Sequence, residues 1–227
     1  MSLLAVHAVE VAYPSGSDLV RALARVDLEV HDHESLALIG RSGSGKTTLL
    51  HVLSGLVQPT SGTVEHHATT SLVFQGANLL PHFTALENVL FAQRESANST
   101  RRESANSTRR ERANSTHGDG ADAEQLLSLV GLQDKLDHLP RELSGGEAQR
   151  AAIARSLAQR PDVLLCDEPT GHLDSDTSAR VLDLVGALRE QLGFALVIAT
   201  HDPGVAERCE RIVELHDGRI VKETSTR

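Results

Sequence analysis

Short apolar segments alternate with amphipathic segments along most of the chain. Continuous apolar runs bounded by turn-forming residues are typical of strands that are covered on both faces, as in a parallel sheet. We place such strands at Leu36–Ile39, Ser71–Phe74, Val163–Cys166 and Ala195–Ala199. A helical spacing of apolar residues predicts helices at Thr47–Leu53, Ala121–Leu129, Glu147–Ala158 and Ser178–Gln191. This alternation predicts an α/β fold with a mainly parallel sheet.

The two ends of the chain follow a different pattern. Near the start, Ala5–Ala12 and Val26–Val30 suggest an antiparallel β layer at one edge of the sheet domain. Near the end, Arg211–Leu215 and Arg219–Val221 flank His216-Asp217-Gly218, in which Asp-Gly is a strong signal for a tight hairpin. Both ends therefore contribute strands to the predicted core.

The middle of the chain has no convincing buried strand between residues 76 and 160. We interpret residues 76–160 as a mostly helical lobe that is inserted into a nucleotide-binding core formed by residues 1–75 and 161–227. Residues 94–117 of this lobe are three tandem octapeptides, RESANSTR, RESANSTR and RERANSTH. They offer too little apolar surface to offset the entropy of ordering, so we expect a solvated insertion, either disordered or a frayed charged helix. A dedicated docking segment is the alternative.

Deletion of one octapeptide, residues 102–109, tests this interpretation. Because the repeat has almost no apolar residues and each doubling of loop length costs only about 0.6 kcal/mol, we expect folding and basal activity to be nearly unchanged. Thermal melting and basal hydrolysis of the deletion variant measure this. A large drop in melting temperature would show that the repeats pack as part of the folded core.

Composition and charge narrow the functional classes. The chain of 227 residues carries a formal net charge of −9, which argues against a nucleic-acid binder that depends on a positive surface. Two cysteines do not make a disulfide framework and fit a reducing compartment. The start of the chain does not look like a secretory signal, and the apolar runs are far shorter than the ~20 residues that span a bilayer. Any membrane function is therefore expected to reside in a partner chain.

The segment from Gly40 to Thr47 reads GRSGSGKT and fits the phosphate-binding pattern G-x-x-x-x-G-K-[ST]. It follows a predicted strand and precedes a predicted helix, where backbone N–H groups and the positive helix end can surround phosphate oxygens. Lys46 is placed to reach the β- and γ-phosphates, and the Thr47 hydroxyl can ligate Mg²⁺. The sequence therefore predicts a nucleoside triphosphate site.

Two further segments complete the candidate chemistry. The strand Val163–Cys166 ends in Asp167 and Glu168. Because adjacent side chains point in different directions, Asp167 can face a metal ion while Glu168 acts as general base on a water molecule.

The segment LSGGE at residues 143–147 places Ser144 and two glycines at a helix start, which makes a second anion-binding element. One nucleotide needs only one phosphate loop, so a head-to-tail dimer is indicated; a plain capping box is the structural alternative.

The order of these motifs resembles that of the ABC ATPase family over essentially the whole chain except the octapeptides. The resemblance implies a P-loop NTPase core, Mg²⁺ bound with ATP, and a dimer of two copies that encloses the nucleotide. The implied ATP-binding residues are Tyr13, which would stack on adenine, and Gly40, Arg41, Ser42, Gly43, Ser44, Gly45, Lys46, Thr47 and Thr48. The implied catalytic residues are Glu168, His201 and Gln75, and the implied metal ligands are Thr47, Gln75 and Asp167.

The resemblance also implies residues that act across a dimer. Ser144, Gly145, Gly146 and Glu147 would act on the ATP of the opposite subunit, and Asp174 would couple the two sites. The expected setting is the cytoplasmic face of the membrane, with the chain bound peripherally to integral membrane permease subunits. No nucleic-acid partner is expected.

The phrase DEPTGHLDS, residues 167–175, is most similar to the lipoprotein-releasing and macrolide-export type of ATPase. Alternatives are the ATPase of a solute importer and a cell-division-type regulator that transports nothing. A soluble DNA-maintenance ATPase is disfavoured because the chain has neither the heptads nor the CxxC pairs that such proteins place between their nucleotide motifs. The carried solute is not encoded in this chain.

Overall fold

The computed structural model describes residues 2–16, 18–106 and 119–225. The chain divides into two units. The first consists of Met1–Gly76 together with Pro161–Arg227, and the second is Ala77–Arg160. The second unit begins one residue after the start expected at residue 76. The described helices and strands of the first unit are β1 (Ser2–Ser15), β2 (Asp18–His31), β3 (Ser35–Ile39), α1 (Lys46–Leu53), β4 (Ser61–His66), β5 (Thr70–Val73), β6 (Val163–Asp167), α5 (Ser175–Leu192), β7 (Ala195–Thr200), α6 (Pro203–Ala206), β8 (Arg211–His216) and β9 (Arg219–Ser225). Those of the second unit are α2 (Ala85–Asn106), α3 (Asp119–Leu129), a 3₁₀ turn at Pro140–Glu142 and α4 (Gly145–Leu157).

The larger sheet of the first unit has the order β5-β6-β7-β3-β8-β9 in the described residues. All neighbours are parallel except β8 and β9, which pair antiparallel. Strands β6 and β7 are buried at every position, because their continuous apolar runs leave no polar face for solvent. The prediction of a mainly parallel sheet is confirmed.

The second sheet has the order β2-β1-β4 and is antiparallel, as the N-terminal pattern predicts. In β2 the residues Val26, Leu28 and Val30 are buried while those between them are exposed, so one face of this sheet packs on the core. Helix α1 contributes Leu49, Leu50 and Leu53 to the same hydrophobic cluster, which also contains residues of β3, β6, β7 and β8. The phosphate loop thus precedes a helix that is anchored on both sheets.

The hairpin at the end of the chain is a two-residue turn that joins β8 to β9, with His216 paired to Arg219. Asp217 and Gly218 have φ angles of +46° and +73°. Positive φ at both central residues defines a type I′ turn, which matches the right-handed twist of paired strands. The hairpin expected from the Asp-Gly signal is confirmed.

The second unit contains helices and no strand among its described residues. The backbone of α2 is helical through the first octapeptide and into the second, as far as Asn106. The remaining repeat residues, 107–117, lie outside the described residues. The interpretation of the repeats as a solvated insertion stays a prediction. No helix in the part of the chain described here is long and apolar enough to cross a membrane.

Neither cysteine is part of a disulfide, and both are buried. Cys166 is fully buried in β6, where it is paired with Val73 of β5 and Ile198 of β7, and burial raises the pKa of its thiol. Burial likewise raises the pKa of the Cys209 thiol to about 11. Both side chains are therefore neutral near pH 7 and pack as small hydrophobic groups.

Candidate functional site

The phosphate loop runs from Gly40 to Gly45 and joins β3 to α1. The Lys46 ammonium donates hydrogen bonds to Gly40 O at 2.7 Å and Arg41 O at 3.1 Å, which fixes the side chain across the loop. Helix α1 begins after Gly45 without a side-chain cap. Its first-turn N–H groups have no intrahelical acceptor, so the helix presents donors and a positive end to an anion.

A cleft of about 960 Å³ opens over this loop. It is lined by residues of β1, β2, β3, β8 and α1 and by residues that follow β3, β5, β6 and β7, all within the first unit. The predicted site residues that line it are Tyr13, Gly40, Arg41, Ser42, Gly43, Ser44, Gly45, Lys46, Thr47, Thr48, Gln75, Glu168 and His201. The fold therefore brings together the groups expected to bind ATP and the groups expected to act on it.

Glu168 follows β6 with a φ of +43°, which is rare for a residue other than glycine and stores backbone strain. Its N–H donates to Ala199 O at 2.9 Å, so the strained residue is tied to β7. Its carboxylate lies 3.0 Å from His201 Nδ1 and accepts a long hydrogen bond from Gln75 Nε2 at 3.5 Å. The three predicted catalytic side chains thus meet at the Glu168 carboxylate and line the cleft together.

Asp167 has a different environment from its neighbour, as the alternation of side chains at a strand end predicts. It is 4% exposed, and burial raises the pKa of its carboxyl above the usual value. A hydrogen bond with the Thr47 hydroxyl and the charge of Lys46 act in the opposite direction. Within the described residues its Oδ1 atom has no hydrogen-bond partner.

A buried carboxylate oxygen without a donor, next to a threonine hydroxyl, fits a site for a hard cation such as Mg²⁺. Mg²⁺ prefers oxygen ligands and commonly binds through one or two protein groups together with substrate phosphates. The residues present therefore fit the ion that a nucleoside triphosphate carries.

Substitution of Asp167 by Asn is expected to raise the melting temperature of the nucleotide-free protein, because a buried carboxylate with an unpaired oxygen is replaced by a neutral side chain. The same substitution is expected to abolish the additional stabilisation that Mg²⁺ gives in the presence of ATP. Thermal melting with and without Mg²⁺ and ATP measures both effects. A lower melting temperature of the free variant would contradict our account of Asp167.

Ser144 begins α4 in the second unit and is exposed. Its Oγ accepts from Glu147 N at 3.3 Å, and Glu147 Oε2 accepts from Ser144 N at 2.8 Å. The Ser144 N–H is the main reason why the pKa of Glu147 is lowered. This capping box accounts for Ser144 and Glu147, while the first-turn N–H groups of Gly145 and Gly146 have no intrahelical acceptor.

Asp174 does not line the cleft but caps α5, where its Oδ1 accepts from Thr177 N at 2.9 Å. The backbone N–H of Thr177 lowers the pKa of this exposed carboxyl. The side chain is therefore ionised and held at the start of the helix. Its expected role in coupling two sites stays a prediction.

Some residues of the cleft are not evident from the sequence. Val20, Arg21 and Ala22 of β2 and Glu214 of β8 line it beside the predicted residues. The strand pairing places Val20 opposite Tyr13, so the two side chains lie next to each other on β1 and β2. Such neighbours arise from long-range register and leave no motif in the sequence.

Comparisons with known proteins agree with this geometry. Residues 23–171 match the family model described as ABC transporter. The chain is 40% identical to the lipoprotein-releasing system ATP-binding protein LolD of Shewanella denitrificans over 99% of this chain and 96% of that protein. It is 42% identical to the protein of the same name from Syntrophotalea carbinolica over 92% of each chain. Its fold is similar to the dimeric post-hydrolysis state of the ATP-binding cassette MJ0796 bound to ADP and Pi, with a TM-score of 0.84, 33% identity and 99% of both chains covered.

Proposed function

Because the chain belongs to the ATP-binding subunits of ABC transporters, which are ATPases, we propose that it powers the release of lipoproteins from a membrane through separate membrane subunits. The observation that carries the ATPase part is the meeting of Glu168, His201 and Gln75 over the phosphate loop in one cleft. The lipoprotein part is supported by the similarity to lipoprotein-releasing proteins over almost the whole length.

Different residues of the cleft bind the base, the phosphates and the metal ion of Mg·ATP. Tyr13 is half-exposed at the edge of the cleft, where its ring can stack on the base. The N–H groups of the phosphate loop and the start of α1 hold the phosphate oxygens, and Lys46 neutralises the charge on the β- and γ-phosphates. Thr47, Asp167 and Gln75 would hold Mg²⁺, which when bound neutralises developing charge on the phosphate oxygens.

Hydrolysis is assigned to Glu168. Its carboxylate accepts a proton from the attacking water as the water oxygen bonds to the γ-phosphorus, and ADP leaves as the bond to the γ-phosphoryl group breaks. His201 holds one oxygen of this carboxylate, and Gln75 reaches the other. These contacts keep the base aimed at the cleft, where a small displacement would cost rate.

The second phosphate-binding element completes the proposal. Ser144, Gly145 and Gly146 of one copy would cap the γ-phosphate held by the other copy, and Asp174 would link the two sites. The dimer of MJ0796 with bound ADP and Pi supports this arrangement by similarity. The chain would then bind peripherally to integral membrane subunits at the cytoplasmic face.

The test uses the chain co-purified with the membrane proteins encoded beside its gene and reconstituted in proteoliposomes that carry a lipidated reporter protein. We expect ATP-dependent transfer of the lipidated reporter to a soluble acceptor, and none with Glu168→Gln or with the unlipidated reporter. ATP-dependent uptake of a small solute would instead support the importer. ATP hydrolysis that is stimulated by the partner without release of reporter or solute would support the non-transporting regulator.

A further inference from the structure

Three backbone segments meet at the end of the phosphate loop. They are the end of the loop at Ser44 and Gly45, the middle of β2 at Ala22–Ala24, and the hairpin turn at Gly218. We propose that Gly218 is a positioning residue that holds the phosphate loop in its ATP-binding conformation, an inference that rests on the ATP site proposed above. Residue 218 lies outside the segment that matches the family model.

Two backbone hydrogen bonds carry the first part of the argument. The N–H of Gly218 donates to Ser44 O at 2.9 Å, and the C=O of Gly218 accepts from Ala24 N at 2.8 Å. One residue of the hairpin therefore bridges the phosphate loop to β2. A loop that depends on aligned N–H groups needs such external support, because its own glycines provide no side-chain packing.

The second part is the close approach of the segments. A Cβ atom added to Gly218 would lie 2.6 Å from Ala22 O and 3.0 Å from Leu23 Cα. A Cβ atom added to Gly45 would lie 2.6 Å from the same Ala22 O and 3.4 Å from Gly218 Cα. These contacts are to backbone atoms, which cannot rotate away, so either side chain would push the loop and β2 apart.

The conformation of the hairpin turn does not by itself explain why Gly218 packs so closely against β2. A type I′ turn needs positive φ at its central residues, and asparagine adopts positive φ more readily than other residues with a Cβ atom. Asparagine at 218 would therefore keep the turn conformation but introduce the forbidden Cβ contact. This difference separates a residue that only makes a turn from a residue that also positions the phosphate loop.

The experiment compares Gly218→Asn with Gly131→Asn, a matched control whose glycine has a φ of +70° and no atom within 4 Å of an added Cβ. Binding of a fluorescent ATP analogue and circular dichroism are measured for both. We expect Gly218→Asn to fold and to lose at least about tenfold in ATP affinity, the size of one charge-assisted hydrogen bond. We expect Gly131→Asn to bind as the parent does. Equal affinity of Gly218→Asn and parent would overturn the proposal.

Hydrogen exchange of the parent protein provides a test that does not depend on a variant. If the hairpin supports the loop, saturating ATP will slow amide exchange at residues 216–220 together with the phosphate loop. Slowing in the phosphate loop alone would also overturn the proposal. If the parent failed to bind ATP at all, the proposed function would be wrong, and this result is distinct from either outcome above.

Discussion

Replacement of Glu168 by Gln is expected to stop ATP turnover while ATP stays bound. The amide keeps the size of the side chain and can still bond to Gln75 and His201, but it cannot accept a proton from water. Loss of general-base catalysis costs about 10²–10⁴ in rate. Phosphate release measures turnover, and equilibrium binding measures the affinity for ATP. Because the phosphate loop is untouched, we also expect an ATP-bound dimer to accumulate and to be visible by size exclusion.

The matched control for this variant is Glu190→Gln, which removes an exposed carboxylate from the outer part of α5. It should hydrolyse ATP at the parental rate. Parental turnover in Glu168→Gln would show that another group activates the water and would contradict the assignment of Glu168.

Replacement of Lys46 by Ala is expected to act earlier, at nucleotide binding. The ammonium that donates to Gly40 O and Arg41 O is held across the phosphate loop, where we expect it to neutralise the charge of the phosphates. Truncation of one member of a buried charge pair costs about 2–5 kcal/mol, which corresponds to roughly 30- to 5,000-fold in affinity. Titration with a fluorescent ATP analogue measures this loss, and Lys222→Ala, on the exposed strand β9, is the control. Unchanged affinity in Lys46→Ala would be incompatible with the phosphate-loop assignment.

The Lys46→Ala variant also serves to test action between subunits. A mixture with Ser144→Arg forms dimers in which one composite site has both lesions and the other has neither. Partial recovery of hydrolysis on mixing supports the action of Ser144 on the partner's nucleotide. Recovery cannot arise if Ser144 serves its own chain, because every protomer would still carry a lesion in its own site.

Local motifs allowed much of the cleft to be predicted from the sequence. The phosphate loop, Asp167 and Glu168 each follow an apolar strand directly, and parallel strands bring their carboxyl ends to the same edge of the sheet. Asp167 and Glu168 then face different surroundings, since successive side chains of a strand alternate in direction. For these residues, the local sequence motif and the position of the strand end both indicate the same site.

Other features depend on contacts that no local pattern records. Strand β4 was not predicted, because only Val64 among its residues is even half-buried and its main-chain partners lie on β1. The positive φ of Glu168 occurs together with a hydrogen bond from its N–H to Ala199 O of β7, a contact that depends on the pairing of strands distant in sequence. The crowding at Gly218 likewise requires β2 and the hairpin to be in place together.

The pairing of β3 has a consequence for synthesis of the protein on the ribosome. The strand that carries the phosphate loop pairs with β7 and β8, and among the described residues no strand from the first half of the chain pairs with it. A nascent chain that ends before Ala195 therefore contains the complete loop sequence without either strand that supports it. ATP can therefore act as a stabilising ligand only after β7, β8 and the hairpin turn at Gly218 have left the exit tunnel.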